Sequence, residues 1–225
     1  MKKIIISFIV LAIVGIGAFL IFQKPAPPES KPPTDIGRNG SNIYENSPFG
    51  IGNPKVPDRD PLLNGKSLPA GYDYPRDVAT IGAKWSRYAG LEGLVWDLVE
   101  KEKGNYDWKE SDYRFLEAKR AGLNLLVTIE SFNRWDQPWA GENFFELARM
   151  SQNNKQAYYK FLEKSIERYD GDGIDDAPGS PVIDYWQIEN EVDFDYFWRD
   201  TPENYAKLLK DSYKIIKNSN SNAKI

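Results

Sequence analysis

The 225-residue sequence has no cysteine and no histidine. The first absence excludes disulfides and thiolate metal sites; the second removes the commonest metal ligand and the usual base at neutral pH. Acid-base chemistry here must therefore use carboxylates, Tyr or Lys. No Lys/Arg-rich block is present, and with 29 basic against 33 acidic residues the net charge is only -4, so a nucleic-acid partner is disfavoured. No Gly-x-Gly-x-x-Gly and no P-loop follows any strand-like run, which lowers a doubly wound nucleotide-binding sheet. No cofactor and no metal is implied. What is abundant is aromatic surface, with 7 Trp, 13 Tyr and 11 Phe, a payload that fills cores and also stacks on sugar rings.

The N-terminus is a separate object. Met1-Lys2-Lys3 precedes an apolar run from Ile4 to Phe22. About 19 residues at ~1.5 Å each reach about 28 Å, close to a bilayer core and longer than the apolar stretch of a usual signal sequence. No Ala-x-Ala cleavage site follows. The expectation is an uncleaved membrane anchor over residues 1–23, with a cleaved secretory signal as the alternative. Lys2 and Lys3 before the span put the rest of the chain outside the cytoplasm. Residues 24–46, with Pro25, Pro27, Pro28, Pro32 and Pro33, read as a semi-rigid spacer.

From residue 47 onward, strand and helix patterns alternate. Strands are expected at Pro48–Gly52, Lys84–Ala89, Leu123–Ile129 and Val182–Glu189, with the opening of a fifth at Asn222–Ile225. Helices are expected over Pro75–Ile81, from an Asp107-x-x-Glu110 capping signal to Gly122, over Asn153–Tyr169, and from Thr201-Pro202 onward. Gly90–Tyr106 reads as a long loop. Leu123–Ile129 is apolar almost throughout, as suits a parallel strand buried on both sides. Four successive β/α units point to an α/β fold, an eight-fold parallel barrel of which about half is present. Aromatic and polar residues gather after each strand, at 90–96, 130–135 and 190–198, the end where barrel active sites lie. Asp170 to Asp176 is rich in carboxylates, but its spacing is not that of a calcium loop, and it reads as a solvated connection.

The stretch Val182 to Asp195 stands apart. In an extended strand Tyr185, Gln187, Glu189 and Glu191 share one face and Trp186, Ile188 and Asn190 the other. Such a polar face, flanked by Trp and Ile, is either a solvated strand surface or the lining of something polar.

Trp186-Gln187-Ile188-Glu189-Asn190-Glu191, at the end of a fourth strand, resembles the acid/base motif of clan A glycoside hydrolases, most like the cellulase-type family 5 and the xylosidase-type family 39. Gly82-Ala83-Lys84-Trp85-Ser86-Arg87 is similar to the second strand of these enzymes. Gly104-Asn105-Tyr106-Asp107-Trp108 looks like the turn before their second helix. The resemblance spans roughly Ser47 to Ile225. It implies a (β/α)8 barrel that hydrolyses O-glycosidic bonds by a retaining mechanism, with a carbohydrate substrate. By resemblance Glu191 is the general acid/base, expected to lie buried among aromatics beside a second carboxylate, and Asn190 holds the sugar 2-hydroxyl. Arg87 supports the nucleophile or pairs with Glu189, Glu130, Asn133 and Trp135 line a sugar subsite, and Tyr196 and Trp198 form a stacking platform. The sequence departs from the pattern twice: Val192 stands where Pro often follows the Asn-Glu pair, and the seventh-strand Glu that serves as nucleophile has no counterpart. The chain is therefore expected to be a fragment carrying the acid but not the nucleophile. The alternative is a carbohydrate-binding module that keeps the scaffold without catalysis.

Overall fold

The computed structural model describes residues 47–52, 74–137, 154–194 and 197–225. The chain divides into two units, Met1–Asn42 and Ile43–Ile225, and every described residue belongs to the second. The expected anchor, the spacer and Tyr196 lie outside the described residues. Among the described residues, no helix is long and apolar enough to cross a membrane.

The elements in chain order are β1 (Gly50–Gly52), α1 (Tyr74–Thr80), β2 (Trp85–Tyr88), β3 (Leu94–Val95), α2 (Trp96–Val99), α3 (Lys109–Arg120), β4 (Asn124–Glu130), α4 (Lys155–Arg168), β5 (Tyr185–Ile188) and α5 (Pro202–Ser219). All strand pairs are parallel: β1 with β2, β2 and β3 with β4, and β4 with β5. β2 pairs with 124–127 of β4 and β5 with 126–129, so these two occupy opposite edges. β3 pairs with Ile129 and Glu130, overlapping β5, and therefore continues the edge that β2 begins. The spatial order is then the chain order. Beyond β5, Trp186 N–H donates to Lys224 O at 2.8 Å and Lys224 N–H to Asp184 O at 2.7 Å, so the next strand opens where the sequence placed it. A doubly wound sheet reverses direction at a switch point; this one advances in one sense, as a barrel does.

Gly90–Tyr106 is not a plain loop. It holds a 3-10 turn at Gly90–Glu92, β3 and α2. These pieces are two to four residues long, too short for a hydrophobic period to reveal them. Gly93 joins them at a close approach: a Cβ there would lie 2.6 Å from Thr128 O. α3 begins later than the capping signal indicated, with Trp108 at the N-cap position, and Asp107 Oδ1 accepts the Lys109 N–H at 3.2 Å. α4 and α5 are capped by Asn154 and Thr201, whose side chains accept from Ala157 N at 3.1 Å and Asn204 N at 3.2 Å.

The core lies between the sheet and the helices. Tyr88, Leu125, Val127, Ile129, Trp186 and Ile188 are buried on the helix side, packed with Phe115, Phe161, Leu162, Ile166, Leu208 and Ile216. Aromatic rings connect successive units: Tyr88 meets Phe115 at 5.8 Å, Phe115 meets Tyr169 at 5.1 Å, and Tyr169 meets Trp186 at 6.5 Å. Arg168 makes a forked contact with Asp112 at 2.8 and 2.6 Å, and Tyr169 Oη donates to Asp112 Oδ1 at 2.9 Å, tying α4 to α3. On the opposite face Trp85, Arg87, Leu126, Tyr185 and Gln187 are only half-buried. Burial of β4 on both sides therefore holds only for its upper half, from Val127 on, while Asn124 is exposed and Leu126 half-buried.

Burial pushes the phenols of Tyr88, Tyr158 and Tyr169 well above their usual range. Tyr106 is raised to about 12 by burial and by the nearby Glu100 carboxylate, and Tyr159 to about 12 by burial and its hydrogen bond to Asp211. A phenol raised in the folded chain contributes stability that is complete below its unfolded value near 10 and is lost as pH rises through the folded value. The chain is accordingly expected to lose stability between about pH 10 and pH 12. Thermal melts against pH, with tyrosinate absorbance followed in parallel, check this: the buried phenols should ionise only as the fold is lost.

Candidate active site

The strand tops converge on a hydrogen-bonded set carried by β2, β4 and β5. β2 presents Arg87 on the half-buried face, and β5 presents Gln187 beside it. Arg87 Nε–H donates to Gln187 Oε1 at 3.1 Å and Arg87 Nη2–H to Asn190 Oδ1 at 2.5 Å. A guanidinium only donates, so these two contacts assign both amide orientations. Gln187 Nε2 then donates to Glu189 O at 2.7 Å, and Asn190 turns its Nδ2 away from Arg87. The link from Arg87 to Glu189 expected from the sequence thus runs through Gln187.

Glu189 does not share a face with Gln187. Its φ of 64 leaves the extended region, so the alternation of a strand no longer applies. The carboxylate is buried, with Oε1 accepting the Ser131 N–H at 2.7 Å, and its charge helps raise the phenols of Tyr158 on α4 and Tyr205 on α5, burial being the larger cause for both. Glu191 follows with φ 46 and is exposed. The burial expected around this acid is not supplied by the described residues. Phe194 N–H donates to Glu191 O at 3.0 Å, and the Phe194 ring is 58% exposed beside it, an aromatic that sequence reasoning passed over in favour of Tyr196 and Trp198.

The other expected site residues are placed as follows. Glu130 is buried at the end of β4, and its Oε1 accepts the Gly90 N–H at 3.0 Å. Asn133 is buried and bonded inward, Nδ2 donating to Glu100 O at 2.8 Å and Oδ1 accepting from Trp135 N at 3.1 Å. Trp135 is half-buried, its indole N–H also donates to Glu100 O at 2.8 Å, and its ring meets Trp96 edge-on at 5.0 Å. Trp198 is 3% exposed, donates to Thr201 O at 3.2 Å and packs on Tyr205 at 5.6 Å, so its faces are enclosed by the start of α5. Asn133 and Trp198 therefore shape the site from behind. The acidic loop at 170–176 turns its carboxylates on its own amides: Asp172 Oδ1 accepts Ile174 N–H at 2.8 Å, and Asp176 accepts from Gly171 and Gly173 at 3.2 and 3.1 Å.

Glu100 is the residue that sequence reading missed. It is 1% exposed, its Oε2 accepts the Trp96 indole N–H at 2.5 Å and its Oε1 the Gly104 N–H at 2.6 Å. Through its carbonyl it also holds Asn133 and Trp135. Lying inside an irregular stretch with charged neighbours, Glu100 reads as a surface residue; no local signal announces a carboxylate sealed among indoles. Glu100→Gln places an amide N–H₂ against one of these donors, and its expected cost is about 1–3 kcal/mol. Thermal melting, with Trp fluorescence as the probe of the region around Trp96 and Trp135, measures it.

Neither the family models nor the curated proteins give a match to this sequence. Solved structures do. A family 39 glycoside hydrolase from the gut symbiont Bacteroides cellulosilyticus WH2 superposes with TM-score 0.51 at 18% identity, covering 77% of this chain and 30% of its own. A glucosidase from Croceicoccus marinus gives TM-score 0.51 at 15% identity over 76% of this chain and 34% of its own. The chain thus spans about a third of the length of these two solved structures. What the likeness establishes is the fold: the described residues from 47 onward have the parallel β/α arrangement of these barrel structures, present in part.

Proposed function

We propose that the chain carries the acid/base half of a retaining glycoside hydrolase. Glu191 is the general acid/base, and Asn190 Nδ2 donates to the hydroxyl next to the reacting carbon. The observation that carries this reading is the Arg87–Asn190 contact. It holds the Asn-Glu pair at the C-terminal end of the fourth barrel position, with the Asn amide already turned to donate. In such a mechanism the acid protonates the leaving oxygen while a second carboxylate, ~5–5.5 Å away, attacks the anomeric carbon; the acid then acts as base toward water. The second carboxylate belongs to a later unit of such a barrel. Trp135, half-buried in the loop that follows β4, borders the sugar site from the side of the third barrel position. The N-terminal apolar run holds the domain on the outer side of a membrane, where polysaccharide or oligosaccharide is met.

Two outcomes test the reading. The complete gene product should release sugar from chromogenic aryl glycosides or oligosaccharides, and Glu191→Gln should lower kcat by about 10²–10⁴-fold. The purified 225-residue chain should release none. Turnover by that chain alone, or full activity of the Glu191→Gln enzyme, sinks the assignment.

A further inference from the structure

The turn that delivers Asn190 and the exposed Glu191 contains a second carboxylate, a buried one, that the reaction does not use. Glu189 is 1% exposed and sits at φ 64, a region that costs a non-glycine residue roughly 1–2 kcal/mol. Something must hold it there. Three contacts do. Glu189 N–H donates to Ile129 O at 3.0 Å, Glu189 O accepts from Gln187 Nε2 at 2.7 Å, and Glu189 Oε1 accepts from Ser131 N–H at 2.7 Å. The second leads through Gln187 Oε1 to Arg87 and from Arg87 back to Asn190, closing a ring of contacts around the turn. The third ties the turn to the top of β4.

The same device occurs one unit earlier. Glu130, also 1% exposed at the end of its strand, accepts the Gly90 N–H at 3.0 Å from the top of β2. In both units a strand-end Glu reaches back to an amide that follows the preceding strand. At Glu130 the device secures the β2–β3 connection. At Glu189 it secures the tip that bears the acid.

We propose that Glu189 is a positioning residue: its carboxylate, clamped on the Ser131 amide, sets the left-handed turn from which Asn190 and Glu191 project. The clamp is a statement about the fold; that the turn serves catalysis rests on the reading of Glu191 given above. What matters in the clamp is reach, an oxygen at the end of a two-methylene arm, rather than charge.

Two variants separate these properties. Glu189→Gln keeps the reach and an accepting oxygen but removes the charge; Glu189→Asp keeps the charge and shortens the arm. In the complete gene product, Glu189→Gln should keep kcat within about threefold, while Glu189→Asp should lose tenfold or more in kcat with KM within about twofold, since a misplacement near 1 Å can cost up to about 10²-fold. Hydrogen exchange at the Ser131 amide in the 225-residue chain gives a second readout that needs no turnover. Exchange should stay slow in Glu189→Gln and quicken at least tenfold in Glu189→Asp, with melting temperatures showing that both fold. If Glu189→Asp behaves like the parent, if both variants are impaired alike, or if only Glu189→Gln is impaired, the clamp is wrong. If the parent gene product shows no turnover, the glycosidase reading fails, and the Ser131 exchange rates still decide the clamp.

Discussion

The tops of parallel strands leave main-chain N–H groups pointing where no neighbouring strand continues. Buried and unpaired, each would cost free energy comparable to a lost hydrogen bond. In this chain carboxylates satisfy them. Glu130 takes Gly90 N–H and Glu189 takes Ser131 N–H at the strand tops, Asp97 takes Arg134 N–H at 2.9 Å in the loop beyond β4, and Glu100 takes Gly104 N–H within its own turn. An acidic side chain is suited to this because it accepts only, and its charge strengthens the bond. The irregular top of the barrel is therefore ordered by short ties between consecutive units, and the candidate site inherits its geometry from them.

The two faces of the sheet play different parts. Toward the helices, aromatic and branched side chains close-pack, from Tyr88 through Phe115 and Tyr169 to Trp186. Toward the barrel axis, Trp85 and Tyr185 meet edge-on at 4.8 Å across β4, and the polar set of Arg87, Gln187 and Asn190 lies above them. Stability comes chiefly from the first face, and the candidate site lies on the second. Between them Glu189 switches sides: a positive φ breaks the strand period at the position before the Asn-Glu pair.

Much of this was legible beforehand. Alternating apolar runs separated by Gly and Pro gave four strands in the right order, and Lys224 pairs beside Tyr185 where a fifth was expected. Asn190 and Arg87 were singled out, and their side chains do meet. What was not legible depended on contacts distant along the chain. β3 and α2 are shorter than one hydrophobic period. Asn133 and Trp198 read as site residues because they follow strands and are polar or aromatic, yet both are spent on packing and capping. Glu189 read as facing with Gln187 because period two was assumed to run to the end of the strand.

The sequence by itself determined the class of the fold, the order of its units and the residue types available for chemistry. Hydrophobic period and turn residues act over a few positions, and with His and Cys absent only carboxylates, Tyr and Lys remained. Tertiary structure decided which carboxylate does what. Glu100, Glu130, Glu189 and Glu191 are one residue type, and nothing within a few positions of each distinguishes them. Glu130 and Glu189 are buried against amides contributed by other segments, Glu100 is buried within its own turn, and Glu191 is left exposed at the tip. For Glu130 and Glu189 that division is made by backbone groups from distant parts of the chain, which only the folded barrel brings together.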